Sequence, residues 1–171
     1  MKLSFFSLAS GSSGNCYYLG TPDFGILIDA GISFRTIKKV LKDNNIDISK
    51  IAAVLVTHDH ADHIKTVGYL GEKMYLPIYS TADVHRGIDN SRYVEETLNG
   101  SRRIIQKEVP FMIRDFSIVA FEVPHDSTDN VGYHICYKDH KFTFATDVGH
   151  ITDTVKKYMS MANHLIIEAN Y

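Results

Sequence analysis

The 171-residue chain has little that would hold it together covalently, pull it to a polyanion or place it in a bilayer. It has two cysteines, Cys16 and Cys136, far apart and without a CxxC pattern. Two cysteines in that arrangement are too few for a cysteine-only zinc site and read as buried thiols in a reducing cytoplasm rather than as a disulfide. The net charge is only −2, so attraction to nucleic acid has to come from a local basic surface. No stretch approaches the ~18 apolar residues of a membrane span. Lys2 followed by Leu3-Ser4-Phe5-Phe6-Ser7-Leu8-Ala9 has the outline of a secretory signal. Its apolar part is short and broken by serines, and its removal would delete the first strand, so the reading is a strand. Hydrophobic content of 44% and charged content of 22% suit one globular domain over residues 1–171.

What the chain does have is concentrated in Thr57-His58-Asp59-His60-Ala61-Asp62-His63, three imidazoles and two carboxylates in seven residues. The apolar, β-branched run Ile51-Ala52-Ala53-Val54-Leu55-Val56 before it reads as a buried strand, and a helix is predicted from Ile64 to about Glu72. His58 and His60, two apart, can turn their rings to one side. Asp62 and His63 are adjacent and suit a second ion beside the first. Imidazole and carboxylate are the ligands of zinc and related divalent ions.

The remaining elements follow from periodicity. Residues 2–8, Tyr17–Leu19 and Ile26–Ile28 read as three strands of an antiparallel meander. Phe34, Ile37, Val40 and Leu41 give a helical stripe from Ser33, a plausible N-cap, to about Asn44; its lysine-rich face is a solvated surface or a site for a polyanion. Ile78–Ser80 is a short strand and Thr81 caps a helix through Ile88. Residues 89–103 are a flap over a channel or a long connection. Phe111–Ser117 and Ile118–Val123 are extended, Val131–Tyr137 and Phe142–Thr146 form a hairpin through Lys138-Asp139-His140, a helix runs from about Thr152 to Met161, and Leu165–Ile167 is a last strand. Four apolar strands thus end in polar residues, at His58, His125, Asp147 and Glu168, which argues for one shared site. His85, His134 and His140 read as structural or solvated. The loop Ser10-Gly11-Ser12-Ser13-Gly14-Asn15 lacks the lysine of a P-loop and reads as a border of the metal pocket or a plain connection.

The H-x-H-x-D-H motif resembles the signature of the metallo-β-lactamase superfamily. Ser7-Leu8-Ala9-Ser10-Gly11-Ser12-Ser13-Gly14-Asn15-Cys16 followed by Leu27-Ile28-Asp29-Ala30-Gly31 is similar to its YycJ/WalJ-like branch, regarded as exonuclease-like phosphodiesterases. The resemblance implies an α+β fold, the αββα sandwich of that superfamily, and two divalent ions, zinc or manganese. It implies that His58, His60 and His125 hold one ion and Asp62 and His63 the other, with Asp147 shared. Asp59 and Asp62 are the candidate catalytic carboxylates, Asp59 by orienting a ligand or an attacking hydroxide. Asp29 is expected behind the ligands, fixing a histidine tautomer, and His150 beside Asp147 in the same supporting layer. Ser10, Ser12, Ser13 and Asn15 are candidates to meet substrate. The resemblance implies hydrolysis of nucleic acid by a metal-bound hydroxide; a glyoxalase-II-like thioesterase or a metal-binding module without turnover are the alternatives. Family members continue past the Glu168-Ala169-Asn170 segment through a further helix and strand with one more histidine, so the sequence reads as a fragment lacking them.

Overall fold

A computed structural model describes residues 2–124 and 129–169. Two sheets face each other. The first, in the order β1-β2-β3-β4-β5-β6, comprises β1 (Ser4–Ala9), β2 (Cys16–Gly20), β3 (Gly25–Ile28), β4 (Ile51–Leu55), β5 (Ile78–Ser80) and β6 (Arg102–Ile104). Its first three strands are the antiparallel meander, and β3 to β6 run parallel. The second, in the order β11-β10-β9-β8-β7, comprises β7 (Phe111–Ile113), β8 (Phe116–Glu122), β9 (Val131–Tyr137), β10 (His140–Val148) and β11 (His164–Ala169).

The core between the sheets is built from alternate residues of each. Tyr17, Leu19, Ile26, Ile28, Ala53 and Leu55 meet Ile118, Ala120, Tyr133, Ile135, Phe142 and Phe144. The outer face of the first sheet is covered by α1 (Phe34–Asp43), α2 (Ala61–Ile64), α3 (Val67–Glu72) and α4 (Ala82–Asp89). On the second sheet, α5 (Asp153–Met161) packs Val155 and Tyr158 onto Phe121 and Ala145. The result is the α+β, αββα sandwich. Strand β4 is buried on both faces, so its sequence is a continuous apolar run rather than an alternation. The register with β3 slips between Gly25 and Ile26, which lets Ile51 and Val54 face the helices while Ala53 and Leu55 face the inner core.

Two helices begin at the caps read from the sequence, Ser33 and Thr81, and Thr152, the expected start of the last helix, caps α5; each accepts a hydrogen bond from a backbone N–H in the first turn. The single helix predicted from Ile64 to Glu72 is two. It starts earlier, at Ala61, and breaks at Lys65–Thr66, where the Thr66 N–H donates to Ala30 O at 2.9 Å and its hydroxyl to Ile32 O. Those tertiary bonds replace the helical ones. Residues 91–101 are a packed connection: Val94 and Leu98 are buried, and Glu72 accepts bonds from Asn99 N, Ser101 N and Ser101 Oγ. Both cysteines are free, Cys16 fully buried and Cys136 half-buried rather than buried. Among the described residues, no helix is long and apolar enough to cross a membrane.

Candidate metal centre

The parallel strands β3 and β4 end side by side, and their polar sequels are tied together by backbone bonds. Asp29 N donates to Leu55 O (2.7 Å), Ala30 N to His63 O (2.9 Å), Asn15 N to Asp62 O (2.8 Å) and Gly31 N to Asn15 O (2.9 Å). Gly31 is required for this closeness, since a β-carbon there would overlap the Asp62 carbonyl.

Within this frame Asp29 is completely buried and saturated. Its Oδ1 accepts Thr57 N (2.8 Å), and its Oδ2 accepts both the Thr57 hydroxyl (2.7 Å) and His63 Nδ1 (2.7 Å). The consequence is a fixed proton inventory. With its one proton given to Asp29, Thr57 Oγ1 can only accept from His58 Nδ1, 2.9 Å away. Both His58 and His63 therefore carry a proton on Nδ1 and turn Nε2 to the site.

The two Nε2 atoms converge on Asp147 Oδ2, at 3.1 Å from His58 and 3.2 Å from His63. Ligand atoms of these three residues all lie within 4.8 Å of one another. An imidazole lone pair facing a carboxylate at that distance is stable only with a cation between them, proton or metal. The charges around His63 point the same way. Burial opposes charge on His63, but the Asp29 carboxylate and hydrogen bonds to Asp147 and Asp29 outweigh it and raise its pKa to about 10. Hydrogen bonds from His58 and His63 hold the Asp147 carboxyl far below the usual carboxylate range. Burial lowers the pKa of His58, with the Asp147 bond opposing. The donor set, two nitrogens and a carboxylate oxygen, is the one zinc and similar ions take.

Asp29 and Asp147 both sit in left-handed backbone, φ 62° and 54°, Asp29 just after β3 and Asp147 within the last residues of β10, where the register with β11 shifts. Aspartate tolerates this region better than most residues.

Other candidates are placed as follows. The ring of His60 lies 4.7 Å from that of His58. Asp62 Oδ2 is 3.8 Å from His63 Nε2, beside the cluster. Asp59 lies outside it: two residues flanking a position in an extended segment face one way and the residue between faces the other, so the Asp59 carboxylate is turned toward α4 at Gly87. His125 lies outside the described residues. His150 is exposed on the bend after Gly149, and no hydrogen bond brings it behind a cluster residue among those described. Glu168 accepts a bond from the Tyr17 hydroxyl (3.2 Å) rather than joining the cluster.

The serine loop divides in two. Ser10, Ser12 and Ser13 are exposed, whereas Asn15 is buried, with Nδ2 3.2 Å from both Asp62 Oδ2 and His63 Nε2. Thr57 is the functional residue that motif reading passed over. Its signal was present, a hydroxyl directly before the first histidine, but its role depends on Asp29, 28 residues away.

Residues 25–171 match the model of the beta-lactamase superfamily domain, and the chain belongs to that superfamily. Within it the chain is similar to the YycJ/WalJ-like branch. Exodeoxyribonuclease WalJ of Streptococcus pneumoniae (strain D39) is 33% identical over 164 residues, which cover 96% of this chain and 61% of that protein. Exodeoxyribonuclease YycJ of Bacillus anthracis is 30% identical over 171 residues, 100% of this chain and 64% of that protein. The chain thus spans less than two thirds of the length of these relatives. Among solved structures, zinc-bound PqqB from Methylobacterium extorquens superposes with a TM-score of 0.76 at 17% identity, covering 90% of this chain and 59% of that one. The subclass B3 metallo-β-lactamase MEM-A1 does so at 0.71 and 14% identity, covering 96% and 76%. At such identities these two share the fold.

Proposed function

We propose that this chain carries the metal centre of a metal-dependent phosphodiesterase that degrades DNA, an exodeoxyribonuclease. The observation that carries the reading is the convergence of His58 Nε2 and His63 Nε2 on Asp147 Oδ2, with both tautomers set through Asp29 and Thr57. His58, His60 and His125 would hold one divalent ion, Asp62 and His63 a second, and Asp147 would face both. When bound, two such ions supply the Lewis acidity that activates water and offsets charge on a phosphodiester.

The protein's own residues do the positioning. Asp29 keeps Nε2 of His63 free to ligate and makes that ring a stronger donor. Thr57 does the same for His58 by accepting from its Nδ1. Asn15 holds the Asp62 carboxylate beside His63, leaving Ser10, Ser12 and Ser13 on the exposed side of the loop for substrate. Zinc fits the nitrogen-rich donor set, with manganese the alternative. The two free thiols support a reducing, cytoplasmic setting.

Metal analysis combined with hydrolysis of bis(p-nitrophenyl) phosphate against a thioester tests the proposal. Near two ions per chain, diesterase turnover and its loss in His60→Ala support it. Thioester turnover alone would move the chain to another hydrolase class, and metal without turnover would leave a binding module. For DNA itself, binding that weakens steeply with salt is expected.

A further inference from the structure

Helix α4 carries a glycine where it meets the motif loop. Val84 and Ile88, one turn apart, bury into the outer core, and Gly87 lies half-buried on the flank of that stripe. Glycine is a poor helix former, and here its conformational freedom goes unused: Gly87 is not among the residues with positive φ. Space explains it. A β-carbon on Gly87 would overlap the Asp59 carboxylate and would stand 2.6 Å from its Cγ and 2.7 Å from its Cβ. A side chain can swing its far atoms aside, but its Cβ is fixed to the backbone, so no rotamer of Asp59 clears the clash.

Asp59 is therefore seated in a notch of the helix. Its neighbours His58 and His60 project the other way, with ring planes at 74° to each other. Moving Asp59 far enough to admit a methyl group shifts the backbone that aims both rings. No hydrogen bond or ion pair to a described residue holds the Asp59 carboxylate, so shape does. We infer that Gly87 is a positioning residue for the metal centre, its missing side chain setting the distance of α4 from the motif loop and so the direction of His58 and His60. The inference rests on the reading that these two histidines hold a divalent ion.

Cobalt(II) titration of the metal-free protein tests it, reading both the dissociation constant and the visible ligand-field bands. Four proteins are compared: wild type, Gly87→Ala, Asp59→Gly and the double variant. Gly87→Ala is expected to weaken cobalt binding by about tenfold or more, in the range found when ligand support is lost, and to shift the bands. In the Asp59→Gly background the same substitution is expected to change the affinity by less than about threefold, since the clashing partner is gone. An unchanged spectrum and affinity in Gly87→Ala would overturn the inference, as would an equal loss in both backgrounds. Should Gly87→Ala fail to fold, a double variant that folds and binds cobalt supports the notch, and one that also fails overturns it. Failure of the wild type to take up cobalt would sink the metal-centre reading itself, whereas uptake with an indifferent Gly87→Ala sinks the notch alone.

Discussion

The two sheets contribute to the candidate site in different ways. The first supplies Asp29, Thr57, His58 and His63, all buried and joined in one hydrogen-bonded relay whose loops also exchange backbone bonds. The second supplies Asp147, part-exposed, on a strand end tied back by Gly149 N to Pro124 O at 3.0 Å. One rim is a preformed mould for a cation. The other delivers a single charge to it. Support of this kind is costly to break where it is buried, because a removed partner leaves others unsatisfied.

The contrast makes graded predictions. Asp29→Ala should have the largest effect. It strips three donors of their acceptor at a fully buried position and is expected to cost about 3–5 kcal/mol in urea unfolding and about 10–100-fold in metal affinity. Asp147→Asn should break the other rim without touching the fold. Asparagine tolerates the left-handed backbone, so the strand end is kept; the metal-free protein loses the stability that the charge facing His58 and His63 supplies, and metal-dependent diesterase activity falls by about 10²-fold or more. Thr57→Val comes next, with about 1–3 kcal/mol lost in unfolding for the buried His58 Nδ1 it orphans and metal affinity lowered by about tenfold.

Acidity sharpens the same comparison in the metal-free protein. The folded pKa of His63 is raised from its ordinary 6.5 to about 10. Its contribution to stability is therefore complete below about pH 6.5 and lost as pH rises through 10. The unfolding midpoint of the metal-free protein should fall over that window, and His63→Ala should flatten the fall. A profile as steep in the variant would assign the window to another group. Ser12→Ala should have the smallest effect, within about 0.5 kcal/mol of wild type in unfolding. If the exposed side of the loop meets DNA, it raises KM and leaves kcat unchanged.

Much of the fold was legible because burial writes itself as pattern. The run from Ile51 to Val56, the stripe of α1 and the caps Ser33 and Thr81 are local signals, and the elements stand where those signals lie. What escaped was decided by distant partners. The break between α2 and α3 depends on carbonyls of Ala30 and Ile32. The split of the serine loop into buried Asn15 and exposed serines depends on Asp62, and the role of Thr57 depends on Asp29. The turning of Asp59 away from the cluster was implicit in the two-residue spacing of His58 and His60, but Gly87 as its seat was not, since nothing in the sequence sets those two residues face to face.

The two thiols divide along the same line. Cys16 opens β2, next to Asn15, and burial, with Asp29 nearby, pushes its thiol far above the ordinary range. Cys136 lies half-buried on β9 of the opposite sheet. A thiol-labelling reagent applied to the native protein thus meets two clocks of different speed. Cys136 reports the reagent's access to the intact surface, and Cys16 reacts only when the first sheet opens. If a bound cation clamps the relay, adding metal should slow the Cys16 clock and leave the other running.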